Sequence, residues 1–290
     1  MVGLIVGSSL SKSSNKTAAK VVYDTDSAAA PRRLVGAIWA RRELIATLAL
    51  RDVRARYQQS ILGAYWTVLN PLATTAVFTI VFSIIAQVPV GTTPYVVFVL
   101  CGLVPWSFFA NALTNATGSL VGMAGLLTKV AFPREILPLA AIVARLVDVA
   151  VSFVVLLIVM LWYHQPLYWT LALVPLIVLV EVIFLLGLSL LLAAANLFYR
   201  DVGQLLGVAL SLWIFLTPVV YPVGQVPVHL RRAIELNPMT PVVSSFRDLV
   251  IDGRLPSFGP LLMSAITSVA ILILGYLVFK KLEPLFAEAA

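Results

Sequence analysis

The stretch RDVRARYQQSILGAYWTVLNP, residues 51–71, begins basic and ends apolar. Arg51, Arg54 and Arg56 come first, and a run from about residue 64 to residue 86 then carries no charge at all. About 20 apolar residues span the hydrocarbon core of a bilayer. The chain therefore passes from water into lipid where the two halves meet. The part before the junction reads as a cytoplasmic lead-in, and the part after it as a bundle of membrane helices.

Composition supports this division. Of 290 residues, 61% are hydrophobic and 11% charged, against roughly 45–50% and about 25% in soluble domains. The net charge of +7 reads as a record of membrane topology rather than of nucleic-acid binding. The single cysteine, Cys101, lies in an apolar run. It excludes a disulfide framework and a cysteine-based metal cluster, and reads as a small buried hydrophobe.

Outward from the junction on the N-terminal side, residues 34–59 read as a helix. Glu43, Thr47, Arg51 and Arg54 share one face; Leu34, Ile38, Ile45 and Leu48 share another. A basic amphipathic helix ahead of a membrane span lies in the interface plane, as an anchor, a gate or a docking surface. Residues 1–33, rich in Ser, Lys and Ala, read as a disordered cytoplasmic tail. The opening MVGLIVG lacks the length and basic flank of a signal peptide, so a cytoplasmic N-terminus is expected.

On the other side, six membrane-length runs are expected, at about 64–86, 95–113, 139–163, 167–198, 202–221 and 261–279. The fold class is therefore an all-α membrane protein. Ten basic residues precede the first run, and Lys129, Arg134, Arg200, Lys280 and Lys281 fall on the same side if the N-terminus is inside. The first two turns opposite hold none. The connection between the fifth and sixth runs breaks the trend with Arg231, Arg232, Arg247 and Arg254, but it is long and also carries Glu235, Asp248 and Asp252. Both termini are therefore expected in the cytoplasm. Between the fifth and sixth runs, 227–236 and 241–251 read as short helices. The second is apolar enough to dip into the membrane and too short to cross it, and the alternative is an ordinary outer loop.

Little chemistry accompanies this pattern. His164 and His229 lie in loops without carboxylates at ligand spacing, so no metal site is expected. No G-x-x-x-x-G-K-[ST] phosphate loop occurs. If the protein moves a solute uphill, the energy comes from an ion gradient or from another polypeptide. Three ionisable groups fall inside the runs. Arg145 and Asp148, three apart, can neutralise one another. Glu181 lies alone near the middle of the fourth run, either protonated or paired with Arg145. Aromatics such as Tyr65, Trp66, Phe78, Phe82, Trp213, Phe215 and Tyr221 suit interfacial belts or helix packing, or sugar stacking in a pore.

Four stretches together resemble the membrane subunit of ABC-2 type transporters that export polysaccharides such as O-antigen and teichoic acid. They are RDVRARYQQSILGAYWTVLNPL at 51–72, KVAFPREILPLA at 129–140, ANLFYRDVGQLL at 195–206 with TPVVYP at 217–222, and LNPMTPVVSSFRDLVIDG at 236–253. The resemblance implies a homodimer in the bacterial cytoplasmic membrane, with an export channel between the copies. It implies a separate ATPase subunit that holds ATP and Mg, and a lipid-linked glycan as cargo. It places a gate helix at 34–60, with Arg51, Arg54, Arg56 and Tyr57 near the channel mouth. It also places a coupling region at 126–138, where Lys129, Phe132, Pro133, Arg134 and Glu135 would meet the ATPase. The first and fifth spans would line the channel with the aromatics named above. Export of a lipid or drug on the same fold, an ion-coupled carrier, and a membrane-embedded sugar transferase are the competing readings.

Overall fold

The structure, a computed structural model, describes residues 41–58, 65–127 and 133–286. Among these residues there are helices and no strands. The disordered tail expected at 1–33, the helical segment expected at 34–40, and the residues Lys129 and Phe132 lie outside them.

Helix α1, Arg42–Tyr57, leads in. The first span is α2, Tyr65–Phe78, continued by a π-helical turn, Thr79–Ile85. Next come α3, Tyr95–Gly122; a single turn, Ala124–Leu127; and α4, Ile136–Trp162. Helix α5, Val174–Phe198, is preceded by a 3-10 turn, Trp169–Leu173. Helix α6 is Asp201–Leu216. The short helices α7, Val228–Glu235, and α8, Met239–Val250, precede the last span, α9, Phe258–Leu282. Short helices thus form within both expected segments, 227–236 and 241–251.

Among the described residues, five helices are long and apolar enough to cross a membrane. Six were expected, and the difference lies in α6. Its 16 residues reach about 24 Å at 1.5 Å per residue, short of a hydrocarbon core of about 30 Å. Pro218 is the cause: the residue before a proline is driven out of the helical region, and Thr217 is extended at φ −108°, ψ 136°.

Helix α3 forms the centre of the bundle. Of its most apolar window 78% is buried, against 6% for the first span. It packs on α4, α5 and α8, while α9 packs on α5. At its middle, Phe109 stacks on Phe184 of α5 at 5.6 Å, and Trp213 of α6 meets Phe109 edge-on at 5.1 Å. Helices α5 and α9 touch backbone to backbone, and a Cβ on Gly275 would fall 2.2 Å from the Gly187 carbonyl oxygen. Helix α1 lays Ile45, Leu48 and Ala49 into the protein against α4 and leaves Arg51 and Arg54 outside. Its apolar face thus meets protein.

The break after α6 is held by α8. Buried Arg247 donates from Nη1 to the Pro218 carbonyl and from Nη2 to the Val219 carbonyl. It also reaches the Phe98 carbonyl at 3.4 Å and lies 3.7 Å over the Phe98 ring. Burial pulls the guanidinium down to about 10, which leaves it charged at neutral pH. Asn237 completes the closure, donating to the Leu216 carbonyl at 3.2 Å and to Thr217 Oγ1 at 2.8 Å. Gly102 makes room: a Cβ there would lie 2.5 Å from Arg247 Nη2 and 2.8 Å from the Val219 carbonyl oxygen.

Arg247→Met is expected to strand two carbonyls and to cost on the order of 2–6 kcal/mol, at about 1–3 for each buried unpaired group. A lower thermal midpoint of the purified protein in detergent reads this out. Arg247→Lys recovers only part, because an ammonium cannot fork across two acceptors. Gly102→Ala lowers the midpoint too, without changing any charge.

Candidate functional site

The basic end of α1 meets α4 at one carboxylate. Asp148 Oδ2 accepts from Arg56 Nη1 at 2.6 Å and from Arg145 Nη1 at 2.9 Å. The Arg145–Asp148 pair read from the sequence therefore exists, and Arg56 joins it from 92 residues away. Two cations around one anion leave this triad net positive. It borders a cavity of about 310 Å³ lined also by Trp66, Asn70 and Asn111. Amides, an indole face and guanidinium groups thus converge at the start of the first span. Arg51 pairs with Asp52 at 3.2 Å, and Arg54 is exposed. The Tyr57 side chain lies outside the described residues.

Sequence reasoning grouped seven aromatics, and the structure distributes them. Tyr65 and Trp66 stand 76% and 53% exposed at the start of α2. Phe78 and Phe82 form an edge-to-face pair at 6.0 Å. Phe215 is exposed, and the Tyr221 hydroxyl donates to its carbonyl at 2.7 Å. Trp213 instead sits among Trp106 and Phe109, with its Nε1 donating to Asn237 Oδ1 at 3.1 Å. Trp213 thus packs inside this chain.

Glu181 is 1% exposed, and neither carboxylate oxygen has a hydrogen-bond partner among the described residues. Arg145, the partner considered for it, is engaged with Asp148 instead.

The segment 133–135 runs directly into α4. Pro133 is half-buried, and Pro138 falls in the first turn, where a proline removes no intrahelical donor. Arg134 donates to the Glu283 carbonyl, and Glu135 accepts from Lys280 at 2.9 Å. Both of these charges are therefore engaged within the chain.

On the opposite end, α7, α8 and the start of α9 enclose a larger cavity of about 810 Å³ lined by Glu235, Asp248, Asp252, Arg254, Ser257 and Thr267. Arg254 bridges Asp248 at 2.7 Å and Asp252 at 3.0 Å. Asp248, by hydrogen bond and charge, holds the Arg254 guanidinium above its ordinary value. Sequence reasoning counted Arg247 merely as a loop charge. The signal that marks it is a lone arginine within an apolar segment, which must find acceptors if buried.

Residues 43–251 match the family model described as ABC-2 type transporter. The chain is 33% identical over 259 residues to the O-antigen export system permease protein RfbA of Myxococcus xanthus, covering 89% of this chain and 99% of that protein. It is 29% identical over 248 residues to an RfbA of Klebsiella pneumoniae, covering 85% and 94%. The polysialic acid transport protein KpsM of Escherichia coli is 23% identical over 246 residues, covering 82% and 93%.

Asp148→Asn is expected to loosen α1 from α4. Amide hydrogen exchange in α1 should accelerate about tenfold, the equivalent of ~1.4 kcal/mol. Glu181→Leu is expected to raise the thermal midpoint, because it removes an unsatisfied buried polar group worth about 1–3 kcal/mol. An unchanged or lower midpoint would show that Glu181 has a partner in the intact protein.

Proposed function

Because the chain belongs to the ABC-2 type transporter family, we propose that it is the membrane subunit of an ATP-driven exporter of a lipid-linked cell-envelope polysaccharide. It works as a homodimer in the bacterial cytoplasmic membrane, with both termini inside, and docks on a separate ATP-hydrolysing subunit. The cargo is a glycan of the O-antigen, capsule or teichoic acid class.

The observation that carries this reading is the net-positive polar cavity where α1 meets the first span. A lipid-linked glycan presents a phosphoanhydride followed by sugars. Guanidinium forks suit the anionic oxygens, while Asn70 and Asn111 offer donors and acceptors to hydroxyls. The named relatives give the cargo class its support, as proteins of O-antigen and polysialic acid export. No phosphate loop occurs in the chain, so ATP and its Mg would be held by the partner.

The surfaces fit a channel between two copies. The first span and α6 bury little inside the chain and keep broad apolar faces, with Val77, Ile84, Leu205, Val208 and Leu212 exposed. The glycan would pass between them, with its head group met first by Arg54 and Arg56. ATP binding in the partner would act on the segment 126–138 and separate the copies.

The test begins with affinity purification of the tagged protein from its own cells in mild detergent. A stoichiometric ATP-hydrolysing subunit is expected to come with it. Arg54→Gln with Arg56→Gln should then reduce surface polysaccharide by about tenfold, within the range of a typical coupling energy. The partner should remain bound. Normal surface polysaccharide in the double variant would remove the head-group role.

A further inference from the structure

The end of the bundle opposite the large cavity holds a second ion cluster, built around the C-terminal end of α9. Lys280 Nζ lies 2.9 Å from Glu135 Oε2 and 2.9 Å from Glu283 Oε2. The two carboxylate side chains are only 7% and 13% exposed. Arg134 donates to the Glu283 carbonyl and holds its guanidinium 5.7 Å over the Phe286 ring. Phe286 is fully buried, edge-on to Phe279 at 5.1 Å and 6.0 Å from Phe198. The 3-10 turn Glu283–Leu285 is therefore clamped among three parts: the segment 133–135, the end of α5 and the end of α9.

This is a mechanical joint. An exposed ion pair contributes little. One ammonium held between two nearly buried carboxylates is different, because removing it leaves charge uncompensated out of water. The joint lies where α4 begins, on a segment rigidified by Pro133 and Pro138. The last span is held at two further points. Its middle lies against α5 at the Gly187–Gly275 contact. Nearer its start, Ser264 Oγ donates to the Pro238 carbonyl at 2.9 Å, immediately before α8. Helix α8 carries Arg247. A displacement of 133–135 thus enters α9 at one end and meets the outer helices near the other, through an unbroken series of direct contacts.

We infer that Arg134, Glu135 and Lys280 are positioning residues that transmit movement of the segment 133–135 into the last span, rather than contacts to the ATPase. The inference rests on the reading that an ATP-hydrolysing partner acts at this segment. The partner would then grip other surface of the 126–138 region, while the charged pair carries the motion inward.

The experiment uses the complete complex purified from membranes, with three readouts: partner retained on the affinity column, ATP hydrolysis, and polysaccharide at the cell surface. The variants are Lys280→Met, Glu135→Lys, and the swap Glu135→Lys with Lys280→Glu. The swap keeps one cation and two carboxylates in the cluster and restores the 135–280 pair with its charges exchanged, although position 280 then carries a carboxylate beside Glu283. Each single variant is expected to retain the partner and its ATP hydrolysis while export falls about tenfold, a coupling loss of ordinary size. The swap should restore export to within about twofold, the signature of a direct pair in a double-mutant cycle. Full export in the single variants overturns the inference. So does a swap variant without export, whether or not the partner is bound. If a single variant fails to accumulate in the membrane, the swap alone decides in the same two ways. Absence of any partner from the unmodified complex would instead overturn the functional reading beneath it.

Discussion

One requirement governs this structure: backbone polar groups that leave a helix at membrane depth must find partners inside the protein. Among the described residues, the chain leaves the helix inside an apolar run at Thr217–Val220, where Pro218 stops α6 about one turn short of a full crossing. Val219 and Val220 are nevertheless fully buried. Their burial is possible because Arg247 and Asn237 meet the freed carbonyls and Tyr95 donates its hydroxyl to the Val220 carbonyl at 2.6 Å. Helix α8 must therefore sit deep against α3, where Gly102 leaves room for the guanidinium. The placement of α8 is a consequence of that closure.

Hydropathy made most of the architecture legible. Long uncharged runs have one solution in lipid, so the helices of α2, α3, α4, α5 and α9 could be read from composition and spacing. The two short helices α7 and α8 were legible because the prolines at 222, 227, 238, 241 and 256 punctuate that connection. The extent of α6 was not. Residues 202–221 look uniformly apolar to a sliding window, and the break depends on one proline whose cost is offset by an arginine 29 positions away. Hydropathy has no term for that partnership.

The candidate site divides in the same way. Arg145 and Asp148, three apart on α4, were legible as a pair from helical spacing. That Arg56 completes the triad was not, because nothing local links α1 to α4. Arg134 and Glu135 show contacts that local sequence does not reveal. Two charges beside prolines in a loop suggest an outward-facing surface, yet both turn onto the C-terminal turn of their own chain. Trp213 behaves likewise. It belongs to a helix read as channel-lining, but a helix has two faces, and its indole takes the one that packs on Phe109.

Burial separates the spans into two kinds, and the separation bears on how such a subunit could move. Helices α3, α4, α5 and α9 are joined through α3 and α5, by ring stacking at Phe109–Phe184 and by backbone contact at Gly187–Gly275. Close-packed interiors of this kind shift as units rather than deform. The first span and α6 are attached more lightly, α6 chiefly through Trp213 on Phe109. The first is nearly unburied, and α6 buries only Leu206 and Leu210 along its length. Their other ties are to the arginine triad beside the first span and to the Asn237–Arg247 closure beyond α6. Elements with few buried apolar contacts occupy the low end of local stability. In the proposed homodimer, a conduit walled by these two helices could widen with little change in the packed core, and the polar ties at their ends would set how far each wall travels.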